Sequence, residues 1–430
     1  MRKAKKGLAM ILALSMVSAI GLTGCANTAS SSSTVSGSST AAKGKVTLSF
    51  LSWTNETTMK PIITAFEKKY PNIKIDFQFA AAVNPYVQKF QILASSKAIP
   101  DVFVTAAETK SQVMTNNLAK DISSLPNVSN LSTANKKTYT DTNGKLIAFA
   151  PDGWYAGIMC NKDVLKANGL SVPTKYSEYI AVMKALKNKG VTPWAFCKDN
   201  LYDPLQGYVE TETIAKDADY DTKVDSGKLT YTDGWKTPVQ LWYNDYVKTG
   251  YASKTAMGLT GDQATALFAK GKAAFMVGAT WIPAALTKLN TKLDYVLLPW
   301  FGTDDTTTYL TGACGVGWSI SATTKHPEEA NTFMEYLTSN EGLKIYQKQT
   351  SAVMAVKGVD SNIPAQIKDC YSYFQDGKIY LPAVTWKYSD ALGVVLTKDS
   401  QSIISGAISD PQQMVTDMNN KWKSMASTSK

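Results

Sequence analysis

Histidine is almost absent from this 430-residue chain, which contains only His326. That histidine lies in 325–329, where a proline and two glutamates are typical of the first turn of a helix. A lone histidine at such a position is a surface residue. Catalytic sets of the Ser/His/Asp or Cys/His kind need a histidine beside the nucleophile, and many zinc sites need one as ligand. The sequence therefore offers neither.

Cysteine is also scarce, and no two of the five cysteines have the close spacing of a metal site. We accordingly expect no metal and no cofactor. Cys160 and Cys197 each end a predicted strand. They would form a disulfide if those strands adjoin, and otherwise they are small buried hydrophobic residues, which is the interpretation we favour.

Only one apolar run approaches membrane length, and it lies in residues 8–22 behind a basic start. It is shorter than the roughly 20 residues of a transmembrane helix, so it predicts an export signal, with an uncleaved anchor helix as the alternative. The run ends in Leu-Thr-Gly-Cys, which resembles a bacterial lipobox. We therefore expect 1–24 to be removed, Cys25 to carry lipid, and the Ser-rich 25–45 to be a flexible tether.

Positive charge is not concentrated enough to indicate a nucleic-acid partner. The formal net charge is +10, but four of the basic residues lie in the first six positions. The remaining lysines are scattered over predicted helix faces without interleaved aromatic residues, as on a solvated surface. We expect no nucleic-acid binding.

Alternating strand and helix patterns predict an α/β fold. Residues 46–52 predict a buried strand, 59–70 carry a helical stripe, and 73–79 alternate as a second strand. Further strands are predicted at 101–105, 156–160, 194–197, 272–280 and 295–298. This order predicts largely parallel pairing. The length predicts two domains or lobes.

Tryptophans cluster at the ends of predicted strands, where open parallel sheets bind ligands. Trp53, Trp281 and Trp300 follow such strands, and Trp154 precedes one in a loop. Each alone could be packing, but four together favour a binding site, because aromatic faces suit the apolar face of a sugar ring. Nearby polar side chains, including Asn55, Glu56 and Asp152, would then bind hydroxyls. Glu210 and Glu212 lie in a predicted polar loop, and a glycine-rich stretch at 312–317 has no phosphate-loop lysine.

Five stretches in order, 66–73, 100–103, 157–165, 267–276 and 325–330, resemble the maltose-binding-protein type of extracellular solute-binding protein. The resemblance covers nearly the whole chain from Val46. It implies two α/β lobes joined by three crossings, with sugar bound in the cleft between them. By that resemblance one lobe comprises 46–152 plus 312–352, and the other comprises 153–309 plus 355–430.

The resemblance also implies particular site residues. Trp281 and Trp386, the latter at the start of a late helix, match positions that stack on sugar. Trp154 stands where the maltose-binding relative has an acid, so the ligand need not be maltose. Glu108 lies near another polar contact. The family supplies an acid and an aromatic residue in the region of Asp199 and Tyr202.

These observations predict a monomeric, lipid-anchored capture protein on the extracellular face of the membrane of a Gram-positive bacterium. It would deliver a sugar or oligosaccharide to an ABC permease without breaking a bond. One alternative keeps the fold but binds a polyamine, a peptide or a metal chelate. Another is a secreted glycoside hydrolase, for which Glu108 and Asp152 are the best available pair of acids.

Overall fold

The structure is a computed structural model that describes residues 44–82 and 84–428. The predicted export signal, Cys25 and all but the last two residues of the predicted tether lie outside the described residues. Within the described ranges no helix is long and apolar enough to cross a membrane. Those same ranges contain no group of three His, Cys, Asp or Glu side chains that could hold a metal ion.

The strands follow the chain in this order: β1 Val46–Ser52, β2 Ile73–Phe79, β3 Val102–Thr105, β4 Asp152–Asn161, β5 Thr192–Ala195, β6 Ala273–Ala279, β7 Tyr295–Leu298, β8 Trp300–Phe301, β9 Thr308–Cys314, β10 Gly317–Ile320, β11 Val353–Met354 and β12 Ile379–Tyr380.

The α-helices are α1 Glu56–Lys69, α2 Asn84–Ser95, α3 Ala107–Thr115, α4 Thr133–Tyr139, α5 Lys162–Ala167, α6 Tyr176–Asn188, α7 Asp203–Val209, α8 Tyr220–Asp225, α9 Tyr231–Trp242, α10 Gly261–Ala269, α11 Ile282–Leu289, α12 Pro327–Thr338, α13 Asn340–Thr350, α14 Ala365–Lys368, α15 Tyr371–Gln375, α16 Pro382–Thr385, α17 Ser389–Ser405 and α18 Gln413–Thr428. Two π-helical segments, Glu210–Ile214 and Tyr243–Val247, extend α7 and α9, and a 3-10 turn covers Ala256–Gly258.

The first sheet has the strand order β10-β3-β1-β2. β1 pairs in parallel with β2 and β3, and β10 is antiparallel. β1 and β2 have the predicted limits. Helix α1 packs its apolar stripe of Met59, Ile62 and Phe66 into the core beside this sheet. The parallel pairing expected from the sequence is confirmed here.

The second sheet has the strand order β12-β9-β4-β6-β5, with β7 and β11 also paired to β4 and β8 paired to β9. Its central strand β4 is antiparallel to β6, β7, β9 and β11. The prediction of largely parallel pairing is therefore wrong for this sheet. Strand partners come from distant segments, and local sequence patterns do not specify their direction.

The chain passes between the two sheets three times, and the passages meet at one point. It enters the second sheet at Asp152, returns between Cys314 and Gly317, and enters again at Val353. Gly153 is the register partner of both Cys314 and Val353. The three crossing segments are therefore hydrogen-bonded neighbours.

Cys160 and Cys197 are both buried and unpaired. Cys160 lies on β4 and Cys197 follows β5, and β6 lies between these two strands. Two strand spacings are roughly 9.5 Å, beyond the Cα separation of about 7 Å that a disulfide tolerates. The strands do not adjoin, so the interpretation as buried hydrophobic residues holds.

Candidate functional site

Trp154 and Trp281 form an aromatic pair beside the crossing. Their ring centroids are 5.5 Å apart and their planes meet at 62°. Trp154 is half-buried, whereas Trp281 keeps 59% of its surface exposed. Because the Trp281 indole is largely exposed, it contributes little to the core of the protein, and together with Trp154 it forms an apolar surface. The structure thus brings together two of the tryptophans that were predicted from the sequence to bind ligand.

Strand pairing positions both rings. Ala156 on β4 faces Ala279 on β6, and the Thr280 amide donates to the Tyr155 carbonyl over 3.1 Å. Trp281 follows directly and precedes the first turn of α11. The sequence analysis placed Trp154 in a loop before a strand, but β4 begins at Asp152 and includes it.

Asp152 lies at the crossing itself. Its carbonyl accepts from the Gly315 amide and from the Asn135 side chain, each over 2.8 Å. The Tyr346 hydroxyl donates to its carboxylate over 2.9 Å. A Cβ at Gly315 would lie 1.9 Å from that carboxylate, so only glycine fits there. Asp152 thus ties β4 to α13 and to the neighbouring crossing, and its carboxylate is already engaged by protein.

Burial raises the pKa of Asp152 to about 6, although the hydrogen bond from Tyr346 acts in the opposite direction. The folded protein therefore keeps a proton that the unfolded chain releases at lower pH. Wild type should lose stability relative to Asp152→Asn as the pH rises from about 4 to 6, with a constant difference above that. Melting temperatures of both proteins across this range test the prediction.

Asp121→Asn is the control for this pH series. Hydrogen bonds from Ser123 hold the pKa of Asp121 below its ordinary value. Wild type should therefore gain stability over Asp121→Asn as the pH rises, the opposite sign. A melting difference for Asp152→Asn that does not change with pH would contradict the assignment.

Glu108 and Lys110 lie on α3, near the carboxyl end of β3. Glu108 is exposed in the first turn of the helix. Lys110 is half-buried, and burial lowers its pKa, while the neighbouring Cys314 acts in the opposite direction. Helix α3, which follows β3, therefore places a carboxylate and an amine near the crossing. Of these two residues, Glu108 was predicted from the sequence.

The segment after β1 has mainly structural roles. Trp53 is half-buried and packs edge-on against Tyr86 with a centroid distance of 5.9 Å. The Asn55 side chain caps α1 by accepting from the Thr58 amide over 3.0 Å. Glu56 is exposed in the first helical turn. Trp53 therefore has one open side, and Asn55 is committed to the helix.

Trp300 is a core residue, contrary to its sequence-based placement at the site. It is 3% exposed and belongs to strand β8, where its ring stacks on Trp194 at 6.4 Å. Its indole nitrogen donates to the Thr311 hydroxyl over 2.9 Å. Both its faces and its polar atom are used by the protein.

Trp386 is likewise buried, at 6% exposure. It follows the short helix α16 instead of beginning a long one. Its ring lies 5.3 Å from both Tyr231 and Trp235, and its indole nitrogen donates to Asp221 over 3.1 Å. The packing of α9 and α16 leaves it no free face for stacking.

Asp199 and Tyr202 precede α7. Asp199 is exposed and Tyr202 is half-buried. Next to them, burial and the charge of Asp199 raise the pKa of Asp203 to about 7. The sequence pointed to this loop but not to Asp203, which begins the helix. The loop and the start of α7 thus bring two carboxyl groups together.

Glu210 and Gln206 are buried polar residues that the sequence did not assign to the site. Glu210 is completely buried in the π-helical extension of α7, not in a polar loop as predicted. Gln206 is 8% exposed. The alternating Glu-Thr-Glu-Thr of 210–213 looked like a loop. The available signal was the helical spacing of Asp203, Gln206 and Glu210 among apolar residues.

Residues 61–373 match the profile of a family described as bacterial extracellular solute-binding protein. The chain belongs to this family. The solute-binding protein is 25% identical to the multiple sugar-binding protein of Streptococcus mutans over 339 residues, 75% of this chain and 78% of that protein.

Two solved structures share the fold of this solute-binding protein. A family 1 extracellular solute-binding protein from Bifidobacterium longum subsp. infantis has a TM-score of 0.80 at 24% identity, covering 89% of this chain and 100% of the other. RafE, a protein of Streptococcus pneumoniae, in complex with raffinose, has a TM-score of 0.65 at 21% identity, with 89% and 100% covered. The fold is thus the two-lobed α/β architecture expected from the sequence.

Proposed function

We propose that this solute-binding protein captures a sugar or oligosaccharide in the cleft between its lobes and delivers it to an ABC import permease. The pair of the half-buried Trp154 and the exposed Trp281 carries the proposal. An indole face buries the apolar face of a sugar ring, and amide and carboxyl groups satisfy its hydroxyls. The Streptococcus mutans relative is named for sugar binding and RafE was solved with raffinose, which supports the same ligand class.

Capture needs no chemistry, because a ligand that contacts both lobes stabilises the closed arrangement by its differential affinity. In this proposal the crossing around Gly153 is the hinge. The first lobe comprises 46–152 plus 312–352, and the second comprises 153–309 plus 355–430; these limits stay a prediction. We also place Glu108, Asp199 and Tyr202 at the cleft as polar contacts.

A polyamine is the alternative ligand that the site's carboxyl groups favour, since Asp199 and Asp203 lie together. Hydrolysis of a glycoside is less well supported. Its two acids would be Glu108 and Asp152, and the Asp152 carboxylate accepts a hydrogen bond from Tyr346 at the crossing.

Isothermal titration of the protein from residue 26 onward tests the ligand class. We expect binding to at least one member of a panel of maltodextrins and of xylo-, cello- and galacto-oligosaccharides, and none to spermidine. Reducing-end assays on the same mixtures should show no sugar release. Absence of heat with every carbohydrate, or tighter binding of spermidine, would overturn the proposed function.

The anchor and the permease partner are part of the same proposal. Lipid on Cys25 would hold loaded protein near its permease and raise its local concentration there. Cys25→Ser should leave the titrated affinity unchanged, shift the protein from membranes to the medium, and reduce uptake of the bound sugar by cells. Full uptake by that variant would show that anchoring is dispensable.

A further inference from the structure

Gln206 and Glu210 have buried polar atoms without a partner. The Gln206 Oε1 and Glu210 Oε2 atoms are inaccessible to solvent and accept no hydrogen bond from any described residue. A buried polar atom left unpaired costs about 1–3 kcal/mol. Folded proteins keep few such atoms, so each calls for an explanation.

Both residues lie on one face of a helix that changes its winding. Asp203, Gln206 and Glu210 are spaced by three and four residues, which places them on the same side. The π-helical segment begins at Glu210. Single π turns inside helices are frequent at functional sites, where the extra residue redirects side chains.

Strand register places Glu210 near Trp154. The Thr311 hydroxyl donates to Glu210 Oε1 over 2.7 Å. On β9, Thr311 faces Ala156 and Ala313 faces Trp154, so all four side chains project from one face of the sheet. Thr311 and Ala313 are about 7 Å apart along the strand. The hydrogen bond to Thr311 therefore holds Glu210 two residues along β9 from the position that faces Trp154.

The side chains of Gln206 and Glu210 are both suited to binding a hydroxyl group. Burial raises the pKa of Glu210 well above its ordinary value, and the Asp203 charge adds to this, while Thr311 opposes it. A protonated carboxyl and an amide each donate and accept, as a hydroxyl does. Arg2 is the only arginine of the chain, so the site has no guanidinium for an anionic ligand.

We propose that Gln206 and Glu210 form a hydroxyl-reading subsite that binds the sugar ring stacked on Trp154. The proposal rests on the carbohydrate function proposed above. Gln206 and Glu210 would then be the part of the second lobe that distinguishes one sugar from another. Because both orphan atoms are covered in this structure, ligand binding includes a local side-chain rearrangement that uncovers them.

Titration of Gln206→Ala, Glu210→Ala and Glu210→Gln against the best oligosaccharide of the panel tests the subsite. Each alanine variant should lose at least tenfold in affinity, because the matching ligand hydroxyl is left unpaired. Glu210→Gln should stay within about threefold of wild type, since an amide also donates and accepts. Gln206→Met keeps most of the buried volume and removes the unpaired oxygen, so it should lose affinity as Gln206→Ala does while its ligand-free melting temperature stays close to that of wild type.

Glu212→Gln is the matched control in the same segment. The Glu212 carboxylate accepts hydrogen bonds from Thr303 and Lys216 and does not lie beside Gln206 and Glu210. The sugar affinity of Glu212→Gln should therefore equal that of wild type. Wild-type affinity in Gln206→Ala and Glu210→Ala would overturn the subsite and leave the proposed function standing. If Glu210→Ala does not fold, Gln206→Ala decides. A wild type that binds no carbohydrate would overturn both.

Discussion

Replacing Trp281 with alanine is expected to weaken sugar binding about 30-fold while leaving the melting temperature nearly unchanged. The indole is 59% exposed in the unliganded protein, so the fold gains little from it. A bound ring would cover it, and burying a large apolar side chain contributes about 2 kcal/mol, which is roughly 30-fold in Kd. Titration calorimetry and thermal melting of the same preparation measure both quantities.

Trp154 makes this prediction sharper, because the two rings touch. Residues in contact are coupled, so the double variant Trp154→Ala/Trp281→Ala should deviate from the sum of the single losses by about 0.5 kcal/mol or more. Leu289→Ala is the control, since Leu289 is an apolar residue with 52% exposure at the opposite end of α11 from Trp281. A loss of affinity in Leu289→Ala equal to that of Trp281→Ala would point to a nonspecific effect.

Replacing Trp386 with alanine should have the reverse signature, a loss of about 3–5 kcal/mol in stability with sugar affinity unchanged in the folded fraction. The side chain is packed between Tyr231 and Trp235. Its removal leaves a cavity and takes one hydrogen-bond donor from the buried Asp221, which also accepts from Tyr380. Denaturant unfolding, followed by titration under native conditions, checks both parts.

Trp386→Phe is the control that separates volume from hydrogen bonding. Phenylalanine fills most of the space but cannot donate to Asp221, so its cost should be clearly smaller than that of alanine. If either variant bound sugar poorly yet melted at the wild-type temperature, Trp386 would be a ligand contact and its core placement would be wrong.

Local patterns were enough for β1, β2 and β3 of the first sheet, but they did not predict β10. The limits of β1 and β2 follow from the pattern of apolar and polar residues within each segment, which depends on neighbouring residues alone. The direction of β4 against its partners could not be predicted in this way, since those partners lie more than a hundred residues away.

The tryptophans show the same limit within the site. Trp281 and Trp300 both follow predicted strands, yet one is exposed and the other is 3% exposed. What separates them is Trp194, which stacks on Trp300 from a distant strand. Glu210 was predicted in a polar loop because its sequence neighbours are polar. In the structure α7 and β9 bury it together.

The meeting of the three crossings at Gly153 has a mechanical consequence. A Cβ on this residue would lie 2.6 Å from the Ala313 carbonyl and from the Phe374 ring, so the strands are pressed together with no room for a side chain. Strand pairing joins Gly153 to both Cys314 and Val353, so the three segments are held as one unit. If this crossing is the hinge that we propose, a rotation of one lobe would turn all three segments together.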